Sequence, residues 1–179
     1  MIEDGNCSET EPEKILLMYK ILVTGQIHEI GLEMLRKEKD IEIHHAPDLP
    51  LPEILKIIAP FHCILTRSET PVSKELIDKA PKLKVIARAA VGIGNIDVNY
   101  ATEKGILVIN TPGKNTNSAA ELTIGLLLSA MRKMIPAHIH MSELKWDRHT
   151  FTGTELLGKT IGIIGLGNVG HRVARYAKA

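Results

Sequence analysis

The chain has 179 residues, of which 44% are hydrophobic and 24% are charged. This composition allows a packed globular core and excludes a disordered or fibrous chain. Because 22 Lys and Arg residues face 21 Asp and Glu residues, the net charge is only +1. The charge balance gives no electrostatic reason to expect nucleic acid or an anionic membrane as partner, so a small-molecule ligand is expected.

The cysteine content and the apolar stretches indicate the compartment. Only Cys7 and Cys63 occur, too few for a disulfide framework, which favours a reducing compartment and a cytoplasmic location. The longest apolar stretch, 122–131, contains polar residues and is about half as long as a membrane span requires. Residues 1–18 are acidic and polar without the features of a secretory signal, and they are predicted to be a disordered leader.

From residue 19 the chain alternates short β-branched runs with helical segments, a pattern typical of a doubly wound parallel sheet. The sequence therefore predicts a flavodoxin-like α/β domain over residues 19–115. The predicted strands and helices, in chain order, are 21–24, 30–38, 41–45, 53–59, 61–66, 73–80, 83–88, 98–104 and 106–109.

A different organisation is predicted after this domain. A helix is expected from 118 to 133, resuming past Pro136, as an interdomain helix within a linker of residues 116–150. Leu122 and Leu126 recur at helical spacing, which favours packing in a core. A short strand at 160–164, a glycine turn and a helix at 168–178 follow, and residues 151–179 are expected to begin a Rossmann domain.

The glycine turn carries the strongest chemical signal. Gly165, Gly167 and Gly170 form a G-x-G-x-x-G motif between a predicted strand and a predicted helix, the context that dinucleotide binding requires. The first glycine permits a tight turn, the second lets backbone amides approach a pyrophosphate, and the third lets the helix pack closely. Dinucleotide binding is therefore predicted, the alternative being a purely structural turn.

Two earlier loops also follow the carboxyl ends of predicted strands, where open α/β sheets bind ligands. The loop that contains Val91 and Gly92 could receive a carboxylate on its backbone amides, or it could be an ordinary turn. Arg67 could hold a carboxylate or phosphate through two hydrogen bonds, or it could be a surface arginine. The histidines lack the spacing of metal ligands, so no metal site is expected.

Several segments together resemble the D-2-hydroxyacid dehydrogenase family. They are 88–97 (RAAVGIGNID), 105–112 (GILVINTP), 118–122 (SAAEL) and 158–170 (GKTIGIIGLGNVG), in matching order and spacing. Lys145-Trp146 followed by 153–156 (GTEL) is similar in particular to the phosphoglycerate dehydrogenase branch. The resemblance extends over residues 20–179 and implies a substrate-binding domain followed by an NAD-binding domain.

The resemblance also implies roles for individual residues. The residues facing the substrate would be Arg67, Ser68, Val91, Gly92 and Asn115, with Val91 also near the nicotinamide. Asn168 and Val169 would lie beside the pyrophosphate, together with the three motif glycines. Arg148 matches a position that reaches the neighbouring subunit's site and favours a phosphorylated substrate. Val91 and Asn168 depart from the family's more usual Thr and Arg.

The implied reaction is hydride transfer between C2 of a 2-hydroxy acid and nicotinamide, with 3-phospho-D-glycerate as the expected substrate at the start of L-serine biosynthesis. The family's catalytic Arg, Glu and His would lie after Ala179, so no catalytic residue is assigned and the chain alone is expected to be inactive. NADP stays an alternative to NAD. A homodimer is expected for the longer parent protein. The alternative functions are glyoxylate or hydroxypyruvate reduction, and a non-catalytic dinucleotide-sensing co-repressor or regulatory partner.

Overall fold

The computed structural model describes residues 18–179, so the predicted leader lies outside the described residues except for Met18. The chain divides into two compact units, one that ends at Asn110 and one that comprises Thr111–Ala179. Among the described residues, no helix is long and apolar enough to cross a membrane.

The first unit contains a five-stranded parallel sheet in the order β2-β1-β3-β4-β5. The predicted α/β fold is thereby confirmed, and each predicted strand and helix of this unit overlaps an observed one. The strands are β1 (Tyr19–Val23), β2 (Ile41–His45), β3 (Cys63–Thr66), β4 (Val85–Arg88) and β5 (Leu107–Asn110), and the helices are α1 (Glu29–Arg36), α2 (Leu51–Ile57), α3 (Lys74–Asp78) and α4 (Val98–Glu103).

The side chains of β1 divide between two hydrophobic clusters because successive residues of a strand point to opposite faces. Leu22 is fully buried in the larger cluster, with Ile64 of β3 and residues of α2, α3 and α4. Ile21 and Val23 pack on the other face with Leu32 of α1. The central strands therefore carry apolar side chains on both faces, as a sheet covered by helices on both sides requires.

His62, just before β3, is expected to make the stability of the protein depend on pH. Its Nδ1 accepts the Lys20 N–H at 3.0 Å, and its pKa lies below the ordinary 6.5, first because of burial and then because of the nearby charges of Lys82, Lys84 and Lys20. The folded state therefore binds this proton less readily than the unfolded state. The free energy of unfolding should fall as the pH drops below 6.5 towards the lowered pKa.

Urea unfolding measured on both sides of this pH would test the expectation, with His62→Gln as the comparison. The variant should lose part of the pH dependence that the unaltered protein shows. An identical pH dependence in the two proteins would contradict the role of His62.

Cys63 of β3 is expected to be an unreactive thiol. Burial raises the pKa of this thiol from 9.0 to about 11. In a Cys7→Ser variant, the remaining thiol should react with a disulfide reagent about a hundredfold more slowly than a free cysteine, because the thiolate is the reactive form. Denaturant should restore the rate, whereas rapid reaction in the folded protein would refute the expectation.

The second unit contains α5 (Thr116–Met131), α6 (Met134–Ser142) and α7 (Asn168–Lys178). Helix α5 packs on α7, and Ala120 and Val173 are the buried residues of the two helices. The packing expected for Leu122 and Leu126 is wrong, since these side chains are 62% and 56% exposed. Ala120 and the partly buried Ile124 form the inward stripe of α5, and Leu122 lies on another side of the helix.

The predicted strand at 160–164 is also wrong for this structure, which has no secondary structure there. A β-strand requires a hydrogen-bonded neighbour, and the described residues of the second unit contain no other strand. The apolar side chains of this segment are consequently accessible. Ile164 is fully exposed and Leu166 is 70% exposed.

Candidate functional site

The strand order of the first unit locates a crevice at the carboxyl edge of its sheet. The chain proceeds from β1 to β2 on one side and then to β3 on the other side of β1. Such a reversal separates the loop that follows β1 from the loop that follows β3. Open α/β sheets bind ligands in the crevice between two such loops. Gly25 and Gln26 follow β1 at this point, and Arg67 and Ser68 follow β3.

Arg67 crosses this switch point. Its Nη1 donates to the backbone oxygen of Gln26 at 3.2 Å, which uses one of the five N–H donors of the guanidinium. The side chain is otherwise exposed. Because residue 25 is glycine, the loop after β1 can approach Arg67 closely. A Cβ atom on Gly25 would lie 2.8 Å from the backbone nitrogen of Arg67 and 2.9 Å from Arg67 Cγ.

Asn95 connects the loops after β3 and β4. Its Nδ2 donates at 2.8 Å to the backbone oxygens of both Arg67 and Thr70, and its Oδ1 accepts a hydrogen bond from Arg88 at the end of β4. The backbone of Asn95 also accepts from the Val72 N–H at 2.8 Å. The amide therefore uses both of its donors and its acceptor within the first unit.

The loop after β4 is held from the adjacent strand as well. Asn110, the last residue of β5, donates from Nδ2 to the backbone oxygen of Val91 at 2.7 Å. Val91 and Gly92 are exposed. Because β3 and β4 are paired neighbours, the structure brings the loop of Arg67 and Ser68 beside that of Val91 and Gly92. Their roles in substrate binding stay predictions.

The glycine motif in the second unit has the geometry that its residue types predicted. Gly165 has φ +90°, a conformation that disfavours residues with a Cβ atom. A Cβ atom on Gly170 would lie 2.1 Å from the backbone oxygen of Gly165, whereas Gly167 has open space at the same position. Gly167 is the N-cap of α7, so Asn168 and Val169 form its first turn.

A polar cleft of about 550 Å³ lies between this loop and the start of α5. Its polar lining comes from Thr116 and Asn117 at the N-terminus of α5, from Asn168 at that of α7, and from His171 and Arg172. Helix N-termini carry unpaired N–H groups and positive partial charge, and Arg172 adds a full charge. The cleft therefore suits an anion such as a phosphate.

The remaining predicted binding residues are Asn115 and Arg148. Asn115 is the N-cap residue of α5, and its side chain makes no capping hydrogen bond. Arg148 is exposed in the loop after α6. The adjoining Asp147 accepts hydrogen bonds from the Thr150 hydroxyl and from the backbone N–H groups of His149 and Thr150, which lower its pKa, the hydroxyl most strongly. This turn fixes the backbone on either side of Arg148.

Some residues of the two sites were not predicted individually. Asn95 and Asn110 occur only within the segments 88–97 and 105–112 that carry the family resemblance, and no sequence pattern singles out Gly25 or Arg172. Gly25 and Asn110 follow or end strands at the carboxyl edge, so their position was the available signal. Within residues 18–179 no group of three His, Cys, Asp or Glu side chains could hold a metal ion.

Comparison with known proteins identifies the family. The sequence profile of the D-isomer specific 2-hydroxyacid dehydrogenase catalytic domain matches residues 21–174. The chain belongs to this family. The resemblance found in segments 88–97, 105–112, 118–122 and 158–170 is thereby confirmed at the family level.

Individual relatives within the family carry more specific names. The chain is 46% identical over 162 residues to the D-3-phosphoglycerate dehydrogenase of Methanocaldococcus jannaschii, covering 90% of this chain and 30% of that protein. It is 40% identical over 161 residues to the hydroxypyruvate reductase of Thermotoga maritima, covering 90% and 52%. The chain therefore spans about a third to a half of the length of these relatives.

The solved structures include a close match in fold with a bound cofactor. The NAD+-bound 3-phosphoglycerate dehydrogenase of Entamoeba histolytica matches with a TM-score of 0.71 and 30% sequence identity, covering 90% of this chain and 51% of that one. The matched residues therefore include parts of both units.

Proposed function

We propose that this chain provides the substrate-binding part and the pyrophosphate loop of an NAD-dependent dehydrogenase that oxidises 3-phospho-D-glycerate to 3-phosphohydroxypyruvate. This reaction would open L-serine biosynthesis, with the cytoplasm as its compartment. The observation that carries the proposal is the Arg67 guanidinium at the switch point of a sheet that belongs to this family. The sequence identity of 46% and 44% with two D-3-phosphoglycerate dehydrogenases supports the choice of substrate.

The substrate carboxylate is assigned to the carboxyl edge of the first unit. Arg67 offers its remaining guanidinium donors, and Ser68 offers a hydroxyl and a backbone N–H. The backbone N–H groups after β4, at Val91 and Gly92, make no hydrogen bond to protein within residues 18–179. Together these groups form a neutral and cationic donor set that fits a carboxylate. Asn115 is assigned a role in substrate binding because it matches a substrate-facing position of the family.

The residues of the second unit fit the pyrophosphate of NAD. The space beside Gly167 is open, so a phosphate can approach the backbone amides there. Gly165 permits the turn of the loop, and Gly170 permits the close contact between α7 and the loop. Asn168 and Val169 place the first N–H groups of α7 beside it, and Arg172 supplies the charge. When bound, the nicotinamide of NAD accepts the hydride from C2 of the substrate. NADP is the alternative.

The phosphate end of the substrate is assigned to Arg148 of a second subunit, and we propose a homodimer for this reason. The apolar side chains that closely precede this arginine in the sequence support an interface. Trp146 is 74% exposed and Leu144 is 96% exposed, values that favour a covering partner. The catalytic Arg, Glu and His of the family are assigned to the part of the relatives that follows this chain, so the 179 residues alone are expected to be inactive.

Hydroxypyruvate reduction is the second candidate, supported by the identity to the reductase of Thermotoga maritima, of which this chain covers 52%. That reaction would use the same carboxylate site, but its substrate has no phosphate group for Arg148 to bind. The non-catalytic co-repressor or regulatory partner is not favoured, since the named relatives are enzymes.

An assay of the complete reading frame that contains this chain would test the proposal, with the 179-residue chain beside it. Reduction of NAD that depends on 3-phospho-D-glycerate, in the longer protein only, is the expected result. An Arg148→Ala variant should lose most of this activity and retain reduction of hydroxypyruvate. Oxidation of NADH by hydroxypyruvate without any activity towards 3-phospho-D-glycerate would establish the second candidate.

A further inference from the structure

Two peptide groups at the carboxyl edge of the first unit share the same arrangement. The backbone oxygen of Arg67 accepts from Asn95 Nδ2 at 2.8 Å, and that of Val91 accepts from Asn110 Nδ2 at 2.7 Å. These are the peptides that carry the N–H groups of Ser68 and Gly92. An asparagine amide thus holds the carbonyl of two of the peptides whose N–H groups are assigned to the substrate carboxylate, those of Ser68 and Gly92.

The geometry of the peptide bond gives this arrangement a directional consequence. In a trans peptide the N–H points opposite to the C=O, and the plane is rigid. An amide that fixes the carbonyl therefore fixes the N–H in the opposite direction, away from the asparagine. Neither the Ser68 N–H nor the Gly92 N–H donates to a protein group within residues 18–179, so both donors are available to a ligand.

We infer that Asn95 and Asn110 are positioning residues, each of which orients one backbone N–H towards the carboxylate of the substrate. The inference rests on the proposed function, because it assigns the site of Ser68 and Gly92 to a carboxylate. Neither asparagine touches the substrate in this scheme. Each acts through the peptide whose carbonyl it holds.

The asparagines themselves are held in place, which is necessary for this role. Asn95 Oδ1 accepts from the side chain of Arg88, and its Nδ2 donates also to Thr70 at 2.8 Å. Asn110 ends β5, whose register with β4 pairs it with Arg88. Both asparagine side chains are therefore held in position, Asn95 by its hydrogen bonds and Asn110 by its place in β5. The peptides that they hold consequently have less freedom to rotate.

The test is a titration with 3-phospho-D-glycerate followed by NMR of the full chain, labelled with nitrogen-15 in serine and glycine. The variants are Asn95→Ala and Asn110→Ala. The matched control is Asn99→Ala, since Asn99 is an exposed residue of α4. In the unaltered chain, saturation with the ligand should shift the amide protons of Ser68 and Gly92.

Each variant should lose one shift and keep the other. Asn95→Ala should abolish the ligand-induced shift of Ser68 while Gly92 still responds, and Asn110→Ala should do the reverse. Each should raise the dissociation constant about tenfold, the effect of one well-oriented hydrogen bond to a charged group. Asn99→Ala should leave both shifts and the dissociation constant unchanged.

Four other outcomes would overturn the inference. Retention of both shifts in both variants, or loss of both shifts in each variant, would show that the asparagines do not orient separate donors. Failure to fold of both the alanine and the corresponding serine variants would assign the residues to stability. Absence of any shift at Ser68 and Gly92 in the unaltered chain would instead refute the proposed carboxylate site, and the inference would fall with it.

Discussion

Replacement of Gly170 by alanine is expected to abolish dinucleotide binding and to destabilise the second unit by about 3 kcal/mol or more. The added Cβ atom would lie 2.1 Å from the backbone oxygen of Gly165. Backbone cannot move aside like the end of a flexible side chain, so α7 or the glycine loop must shift. Differential scanning calorimetry and titration with NAD would measure the two effects.

Two alanine variants serve as controls for this prediction. Gly167→Ala meets no atom within 4 Å, so it should preserve stability and weaken NAD binding only, by occupying the space assigned to the phosphate. Gly125→Ala, in an exposed and open position of α5, should leave binding unchanged and stabilise the helix by up to about 1 kcal/mol. Unchanged stability in Gly170→Ala would mean that α7 does not pack on the loop as described.

Gly25→Ala is expected to affect both stability and substrate binding in the first unit. Its Cβ atom would lie 2.8 Å from the Arg67 nitrogen and 3.1 Å from the carbonyl carbon of Thr66. Displacement of this backbone should cost roughly 1–3 kcal/mol of unfolding free energy. Because Arg67 moves with it, the affinity for 3-phospho-D-glycerate should also fall, by about tenfold or more.

The comparison with Arg67→Ala separates the two effects of Gly25→Ala. Removal of the exposed guanidinium should lower the affinity and change the free energy of unfolding by less than about 1 kcal/mol. Urea unfolding and calorimetric titration of both variants would provide the values. Equal affinity in Gly25→Ala and the unaltered protein would contradict a binding role for the loop between β3 and α3.

The first unit could be predicted well from the sequence because its signals are local. The strands are short β-branched runs such as 41–45, which coincides with β2, and covering helices follow each of them. The second unit was predicted less well. The run at 160–164 has the composition of a strand, yet pairing depends on a neighbour that composition does not supply.

The candidate site divides in the same way. Gly165, Gly167 and Gly170 could be selected from sequence because each residue type serves a backbone requirement at fixed spacing. Asn95 and Asn110 could not be paired with Arg67 and Val91, because these contacts span 28 and 19 positions of the chain. They depend on the order of strands across the sheet, which no local pattern specifies.

The same strand order has a consequence for biosynthesis. After β1 and β2 pair, β3 joins the free edge of β1, and each later strand joins its predecessor, β4 beside β3 and β5 beside β4. A nascent chain emerges at roughly 5–20 residues per second, and amino-terminal domains fold first. The sheet can therefore grow outward as the ribosome delivers it, and the crevice between β1 and β3 can form long before the nucleotide loop has been translated.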